Sequence, residues 1–325
     1  MNRREFITLL GGAAAWPLAA RAQQPGKALI GYLALTSAGV DATLVAGFKR
    51  GLSQTGYIEG QNVAIEYRFA ASHFDRLPAL AEELVRLKPS VIFAIGPPSV
   101  RALKGHTATI PVVFFMGEDP VKEGLVASLN RPGANITGFS GFTNLLFPKR
   151  LQLLNEVVPK PAALALLVNP DNPNAEPDSR DAQAAAAALG RELHVVTANN
   201  GRGIAEAFAA LVHQSVGGLM VGVDGLFLDR SDQIFALATR DAMPVIYERR
   251  EYPERGGLMS YGTSDPENYR QCGIYVGRIL KGEKPADLPV LQATKFEFVL
   301  NLRIAEVLNI AIPPGVLAIA DEVIE

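Results

Sequence analysis

One cysteine stands among the 325 residues, Cys272, so no disulfide can form within the chain. Tryptophan is as scarce: the single one, Trp16, lies near the N-terminus. Four histidines, His73, His106, His194 and His213, are scattered, with no H-E-x-x-H run and no paired cysteines beside them. The spacing that holds a zinc ion is therefore missing. No G-x-S-x-G elbow surrounds a serine, and no Walker-type phosphate loop is present. The nearest approach to a dinucleotide fingerprint is Gly201-Arg202-Gly203, with Glu206 where the third glycine belongs. It reads as a turn that opens a helix. With 31 basic and 33 acidic residues and no cationic block, the chain offers no electrostatic footprint for nucleic acid or an anionic membrane surface. Neither metal, cofactor nor catalytic chemistry has a foothold in these patterns.

What the N-terminus does contain is an address. Arg3-Arg4 precede an apolar run from Phe6 to Ala20, and Ala20-Arg21-Ala22 sets small residues where a signal peptidase cuts. The run is broken by Gly11-Gly12 and Pro17 and falls short of the ~20 residues that span a bilayer. Arg3-Arg4-Glu5-Phe6-Ile7 also fits a twin-arginine signal, with Asn2 in place of the usual hydroxyl residue. Both the twin-arginine and the general secretion routes stay open. Cleavage after Ala22 leaves 303 residues with 28 basic and 32 acidic side chains, a net charge of −4. The residue after the cleavage site is Gln23 and not cysteine, so a soluble periplasmic product without a lipid anchor is expected. It would contain no tryptophan, since Trp16 lies in the signal.

The remainder alternates short apolar runs with amphipathic stretches of helical period. Leu29–Leu33, Val63–Tyr67, Val91–Ile95, Val112–Met116 and Ile136–Phe139 read as strands. Helices are predicted over Val45–Gly56 and Phe74–Leu87, with a short one at Val100–Lys104. The pattern then restarts. Strands are predicted at Ala163–Val168, Leu193–Val196, Gly218–Val223, Val245–Tyr247 and Leu258–Tyr261, with an alanine-rich helix over Asp178–Leu189. Continuous apolar strands joined by helices imply parallel sheets covered on both faces, with right-handed crossovers. Two such α/β units follow, and the leftover elements, the helix Glu267–Leu280, the strand Phe296–Leu300 and the helix Arg303–Leu308, require the chain to cross between units more than once.

Polar or small residues recur just past the strands' carboxyl ends, where ligands of open α/β sheets bind. These are Thr36-Ser37-Ala38-Gly39, Gly96-Pro97-Pro98-Ser99, Gly117-Glu118-Asp119-Pro120, Asn169 to Asn174, and Asp224. Any one is ordinary turn chemistry; five, divided between two sheets, point to a cleft between lobes. Asn174 precedes a helix whose N-terminus favours a carboxylate, unless it serves only as a cap. Asp224 ends an apolar strand, where a ligand ammonium would neutralise it, unless it is a turn residue before Gly225. Ser37, Pro98, Ser99 and Asp119 complete the wall of the cleft, and Phe227 and Tyr247 are the candidates to stack on any aromatic part of the ligand.

Four segments carry a family resemblance: Gly56-Tyr57-Ile58-Glu59-Gly60-Gln61-Asn62, Asp119-Pro120-Val121-Lys122-Glu123-Gly124-Leu125, Asn135-Ile136-Thr137-Gly138 and Lys281-Gly282-Glu283-Lys284-Pro285. The chain resembles the TrpX-like substrate-binding proteins of ABC transporters over essentially its whole mature length. The resemblance implies a type I periplasmic binding fold: two Rossmann-like lobes joined by three crossovers, closing on a small ligand, which in some members is an aromatic amino acid. It places Pro98-Ser99, Asn174 and Asp224 in the cleft, the last against an amino group. Ala175 departs from the pattern, since a hydroxyl is expected beside the cap asparagine. The lobes are assigned to residues 26–142 plus 264–289 and to 143–263 plus 290–325.

The resulting expectation is a periplasmic, monomeric, cofactor-free binding protein that closes on an amino acid or related carboxylate and serves an ABC permease. It has two rivals. A sensor partner would bind the same ligand and dock on a receptor, and a secreted two-domain enzyme would need a nucleophile–base pair across the cleft, for which the chain offers no candidate. Intact-mass analysis of the exported protein is expected to show loss of Met1 to Ala22 and a new N-terminus at Gln23. Full-length protein outside the cytoplasm would overturn the cleavage site. Replacing both Arg3 and Arg4 by lysine should block export if the twin-arginine route is used.

Overall fold

The computed structural model describes residues 27–40, 42–158 and 162–325; the export segment read in residues 1–22 lies outside the described residues. Five strands open the chain: β1 (Ala28–Ala34), β2 (Val63–Phe69), β3 (Val91–Ile95), β4 (Val112–Met116) and β5 (Ile136–Ser140). Five more follow: β6 (Leu164–Val168), β7 (Leu193–Thr197), β8 (Gly218–Val221), β9 (Val245–Tyr247) and β10 (Met259–Thr263). Last come β11 (Leu291–Gln292), β12 (Phe296–Asn301) and β13 (Glu322–Ile324). One sheet has the order β11-β5-β4-β3-β1-β2 and the other β13-β12-β10-β9-β8-β6-β7. All pairings are parallel except β10 with β12.

The predicted doubly wound α/β architecture is what forms. The central strands β4, β5, β6 and β8 are buried along their whole length, which is why they read as unbroken apolar runs. Each sheet is covered on both sides, giving two apolar clusters per lobe.

Three crossings join the lobes. The chain leaves the first sheet after β5 and enters the second lobe through the helix Phe147–Val157. It returns after β10 through the helix Asp265–Leu280, whose Tyr269, Cys272, Tyr275 and Val276 lie in the first lobe's core with Phe48 and Phe93. It crosses again between β11 and β12. Because β11 pairs with β5, residues 291–292 belong to the first sheet and not to the second lobe, as the boundary at 289 implied. A two-residue strand carries no periodicity, so pattern reading passes over it. The short helices Gly225–Asp229 and Glu251–Arg255 went unread for the same reason.

The returning helix docks through four glycines. Gly47 and Gly51 lie one turn apart on the helix Ala42–Gln54, and Gly273 and Gly277 lie one turn apart on Asp265–Leu280. A Cβ on Gly51 would run into the Arg270 carbonyl oxygen, and one on Gly273 into the Phe48 carbonyl oxygen. The two backbones touch, and only glycine permits it. Elsewhere in a helix, Gly→Ala gains about 1 kcal/mol of propensity. Here Gly51→Ala and Gly273→Ala should each destabilise by about 1–3 kcal/mol or more, the cost of overpacking a close contact. Urea denaturation followed by circular dichroism reads the sign; a gain in stability in either variant would refute the close crossing.

Candidate functional site

The carboxyl ends of strands from both sheets meet across a cleft. A cavity of about 90 Å³ lies there, reached by residues after β1 (Thr36), β3 (Pro97, Pro98), β4 (Glu118), β6 (Asn172), β8 (Asp224) and β9 (Arg249). Its apolar wall includes Leu35, Phe74, Ile95, Phe115, Met116 and Leu228.

Asp224 is the best-held polar group of this wall. It caps the helix Gly225–Asp229, accepting from the Leu226 amide at 2.9 Å, and also accepts from Asn169 Nδ2 at 3.1 Å and Asn172 Nδ2 at 2.9 Å. The capping and cleft roles therefore coincide in one side chain. Burial pushes its carboxyl pKa up, and the three hydrogen bonds pull against that. All three donors are neutral, so none of them supplies the positive charge that a buried carboxylate favours.

Glu118 faces it from the other lobe. Its Oε1 accepts from Asn174 Nδ2 at 2.8 Å across the cleft, and its carbonyl oxygen accepts from Ser140 Oγ at 2.7 Å. Burial, reinforced by nearby Glu123 and opposed by the Asn174 hydrogen bond, raises its pKa to about 7. Sequence reading chose its neighbour Asp119 instead. The Asp119 carboxylate is consumed locally, accepting from the Val121 amide at 2.9 Å in a turn before the cavity is reached. An aspartate before proline is a turn signature, and that signal could have shifted the choice by one residue.

Arg249 is the cation of the cavity wall. Its Nε lies 3.4 Å from Glu248 Oε1 and 3.3 Å from Asp265 Oδ2. Behind it the fully buried Arg150 donates from Nε to the Tyr261 carbonyl at 2.8 Å. Burial lowers the Arg150 pKa to about 10, while Glu248, Asp178 and Asp265 sustain its charge. Thr263 Oγ1 donates to Asp265 Oδ1 at 2.7 Å, so this charge cluster sits on the second crossing. Arg249 was missed, although the charged run Glu248-Arg249-Arg250-Glu251 follows β9 directly; the strand-end rule that picked Asp224 applies to it equally.

The remaining expectations divide. Pro98 lines the cavity with Asp224. Asn174 makes no capping hydrogen bond and instead reaches Glu118, lining an adjoining cavity of about 150 Å³ with Asp119 and Asp178. Ser99 is fully buried, one residue beyond that wall, and its Oγ has no hydrogen-bond partner. Ser37 bonds to Asp229 of the opposite lobe and is not on the cavity wall. Phe227 and Tyr247, expected to stack on a ligand, are fully buried in the second lobe's core. Tyr247 stacks on Tyr252 at 4.4 Å between centroids. The aromatic rings on the cavity wall are Phe74 and Phe115, both from the first lobe. A residue at a strand end faces either its own core or the cleft, and proximity in sequence to that end does not distinguish them.

Two sheets of like winding, three crossings and a cavity walled by strand ends from both define the type I periplasmic binding fold, a class that holds small solutes between its lobes. Residues 34–324 match the family model of ABC transporter substrate binding proteins, and the chain belongs to that family. Members are extracytoplasmic, and among the described residues no helix is long and apolar enough to cross a membrane. A tyrosine-binding protein of Clostridioides difficile is 25% identical over 78% of this chain and 73% of its own length. A conserved domain protein from Vibrio cholerae superposes with a TM-score of 0.82 at 28% identity, over 91% of this chain and 99% of that one. A Streptococcus domain solved in complex with L-Trp gives 0.81 at 24% identity, over 92% and 100%. The ligand-free, open structure of a substrate-binding protein from Clostridium difficile gives 0.64 at 25% identity, over 91% and 99%.

Glu118 generates a pH prediction. Its folded-state pKa of about 7 stands above the ordinary 4.5, so its ionisation opposes this folded arrangement. The stability it confers is complete below pH 4.5 and declines as pH rises to about 7, by about 1–3 kcal/mol. Glu251, also raised to about 7 by burial, acts in the same window, so the comparison must isolate Glu118. Glu118→Gln keeps the acceptor for Asn174 and should flatten part of the decline. Thermal melts of the ligand-free protein between pH 4.5 and 7.5 decide it, and identical pH profiles for variant and parent would contradict the assignment.

Proposed function

We propose that this protein captures an amino acid with an apolar or aromatic side chain between its lobes and delivers it to an ABC permease. The observation that carries the reading is a largely apolar cavity with opposite charges on its wall. Asp224, with Glu118 opposite, receives the ammonium; Arg249 receives the carboxylate; Phe74 and Phe115 flank the side chain. The names of two relatives support this ligand class, one a tyrosine-binding protein and one a domain holding L-Trp. The lobes hinge as residues 26–142 with 264–292 against 143–263 with 293–325, the third crossing following β11. Their arrangement is the closed one: hydrogen bonds cross the cleft, and the TM-score is higher to the L-Trp complex than to the open structure at nearly equal identity. Moving a lobe equilibrium from mostly open to mostly closed takes about 5 kcal/mol of preference for the closed state. A charge pair at each end of the ligand and a stacked side chain are of that order. The protein works as a periplasmic monomer after removal of Met1 to Ala22.

Calorimetry with L-tryptophan, L-tyrosine, L-phenylalanine and L-leucine, beside their des-amino carboxylic acids, tests the reading. An amino acid should bind and its des-amino analogue should bind far more weakly. Asp224→Asn should weaken amino-acid binding about 30-fold or more, the usual consequence of losing one member of a buried charge pair. Asp224 also holds Asn169, Asn172 and a helix cap, so a melt must accompany the measurement. Equal binding of amino acid and des-amino acid, or full affinity in Asp224→Asn, would overturn the ammonium assignment.

A further inference from the structure

Asp229 lies outside the cavity yet joins the lobes. Its Oδ2 accepts from Ser37 Oγ at 2.7 Å and from Ser72 Oγ at 2.6 Å, and its Oδ1 accepts from the Ser37 amide at 3.1 Å. All three donors belong to the first lobe, whereas Asp229 ends the helix Gly225–Asp229 of the second. That helix begins at Asp224, and its Leu228 lines the cavity. The opposite side is built the same way: Leu35 and Thr36 line the cavity, and Ser37 follows them. Ligand-facing and lobe-joining residues are thus adjacent in sequence on both walls.

Ser72 is brought to Asp229 by an uncommon turn. Ala71 and Ser72, with φ of 52° and 63°, both occupy the left-handed region, which non-glycine residues enter at a cost. The turn is fixed by the Ala71 amide donating to the Thr36 carbonyl at 3.3 Å and the Ser72 amide to the Leu35 carbonyl at 2.7 Å. The strained turn is therefore anchored on two residues of the cavity wall.

We propose that Asp229 is a positioning residue that latches the closed lobes through Ser37 and Ser72, setting affinity and release rate for every ligand of the cavity without touching any. The inference rests on capture between the lobes. Hydrogen bonds to a charged acceptor that exist only in the closed state raise its population, and the apparent affinity follows.

The test measures dissociation constants and release rates for the same amino-acid panel in the parent, Asp229→Ala, Asp229→Asn and Ser72→Ala proteins. Asp229→Ala should weaken every ligand by one common factor of about 10- to 100-fold, carried by faster release, with the ligand ranking unchanged. Ser72→Ala should cost less, and adding it to Asp229→Ala should cost nothing further, because its partner is already gone. A ligand-free arm uses Ser72→Cys with Asp229→Cys and a short bis-thiol reagent. An intramolecular cross-link is expected in the double variant and not in either single one, since the native Cys272 is buried. Unchanged affinity in Asp229→Ala, a loss that differs between ligands, or failure to cross-link would each overturn the latch. If no amino acid binds the parent protein, the capture reading falls, and the cross-link still decides whether these residues join the lobes.

Discussion

The two-lobed form of this protein depends on the contact between the helices Ala42–Gln54 and Asp265–Leu280. The second crossing brings the chain back to a lobe whose sheet was already complete but for one edge strand. What holds it there is backbone-to-backbone packing at Gly47, Gly51 and Gly273, with Gly277 against the Thr55 side chain, and Tyr269 and Cys272 inserted beneath β3 and β4. Without that docking the chain would cross between lobes once, and the cleft would be joined by a single strand of polypeptide. With it, three segments join the two sheets, and free rotation of one lobe about the other is blocked.

The sequence disclosed the sheets well, because parallel strands buried on both faces leave an unmistakable apolar signature. Helices with a clear apolar face, such as the one read over Glu267–Leu280 and found over Asp265–Leu280, were legible to within two residues. What escaped were elements too short for a period. The strand Leu291–Gln292 and the helix Gly225–Asp229 take their conformation from tertiary pairing and from the cap at Asp224, not from local pattern. The glycine crossing escaped as well, since a glycine in a helix reads as a weakness until its neighbour is known.

The candidate site was legible by position and less so by orientation. Strand ends located the cleft, and Asp224 and Pro98 face it. Asp119, Ser37, Phe227 and Tyr247 stand at the same level of the fold and turn elsewhere: one into its own turn, one across the lobes, two into the core. Side-chain direction at a strand end depends on the turn that follows. The Asx turn at Asp119 leaves Glu118 as the cleft carboxyl, and the cap at Asp224 leaves Phe227 on the inner side of its helix. Arg249 stands where the strand-end rule points, but an arginine in a charged run reads as surface, and its place on the cavity wall is plain once Glu248 and Asp265 stand around it.

The cleft holds more negative than positive charge, and this gives closure its direction. Asp224 and Glu118 are held by amides and backbone N–H groups, all neutral, while Arg249 lies beside two carboxylates of its own. Burying the two acids without a counter-charge costs free energy, which their raised pKa values express. In the proposed function a ligand ammonium would remove that cost only when both lobes surround it, and its attraction would be felt chiefly in the closed state. An interaction of that kind shifts the lobe equilibrium, whereas one made equally well in the open state would not. The helix Gly225–Asp229 then joins the two halves of the device. At one end Asp224 faces the cavity, and at the other Asp229 grips Ser37 and Ser72. A five-residue helix cannot move one end without the other, so satisfying the first brings the second into reach of its partners.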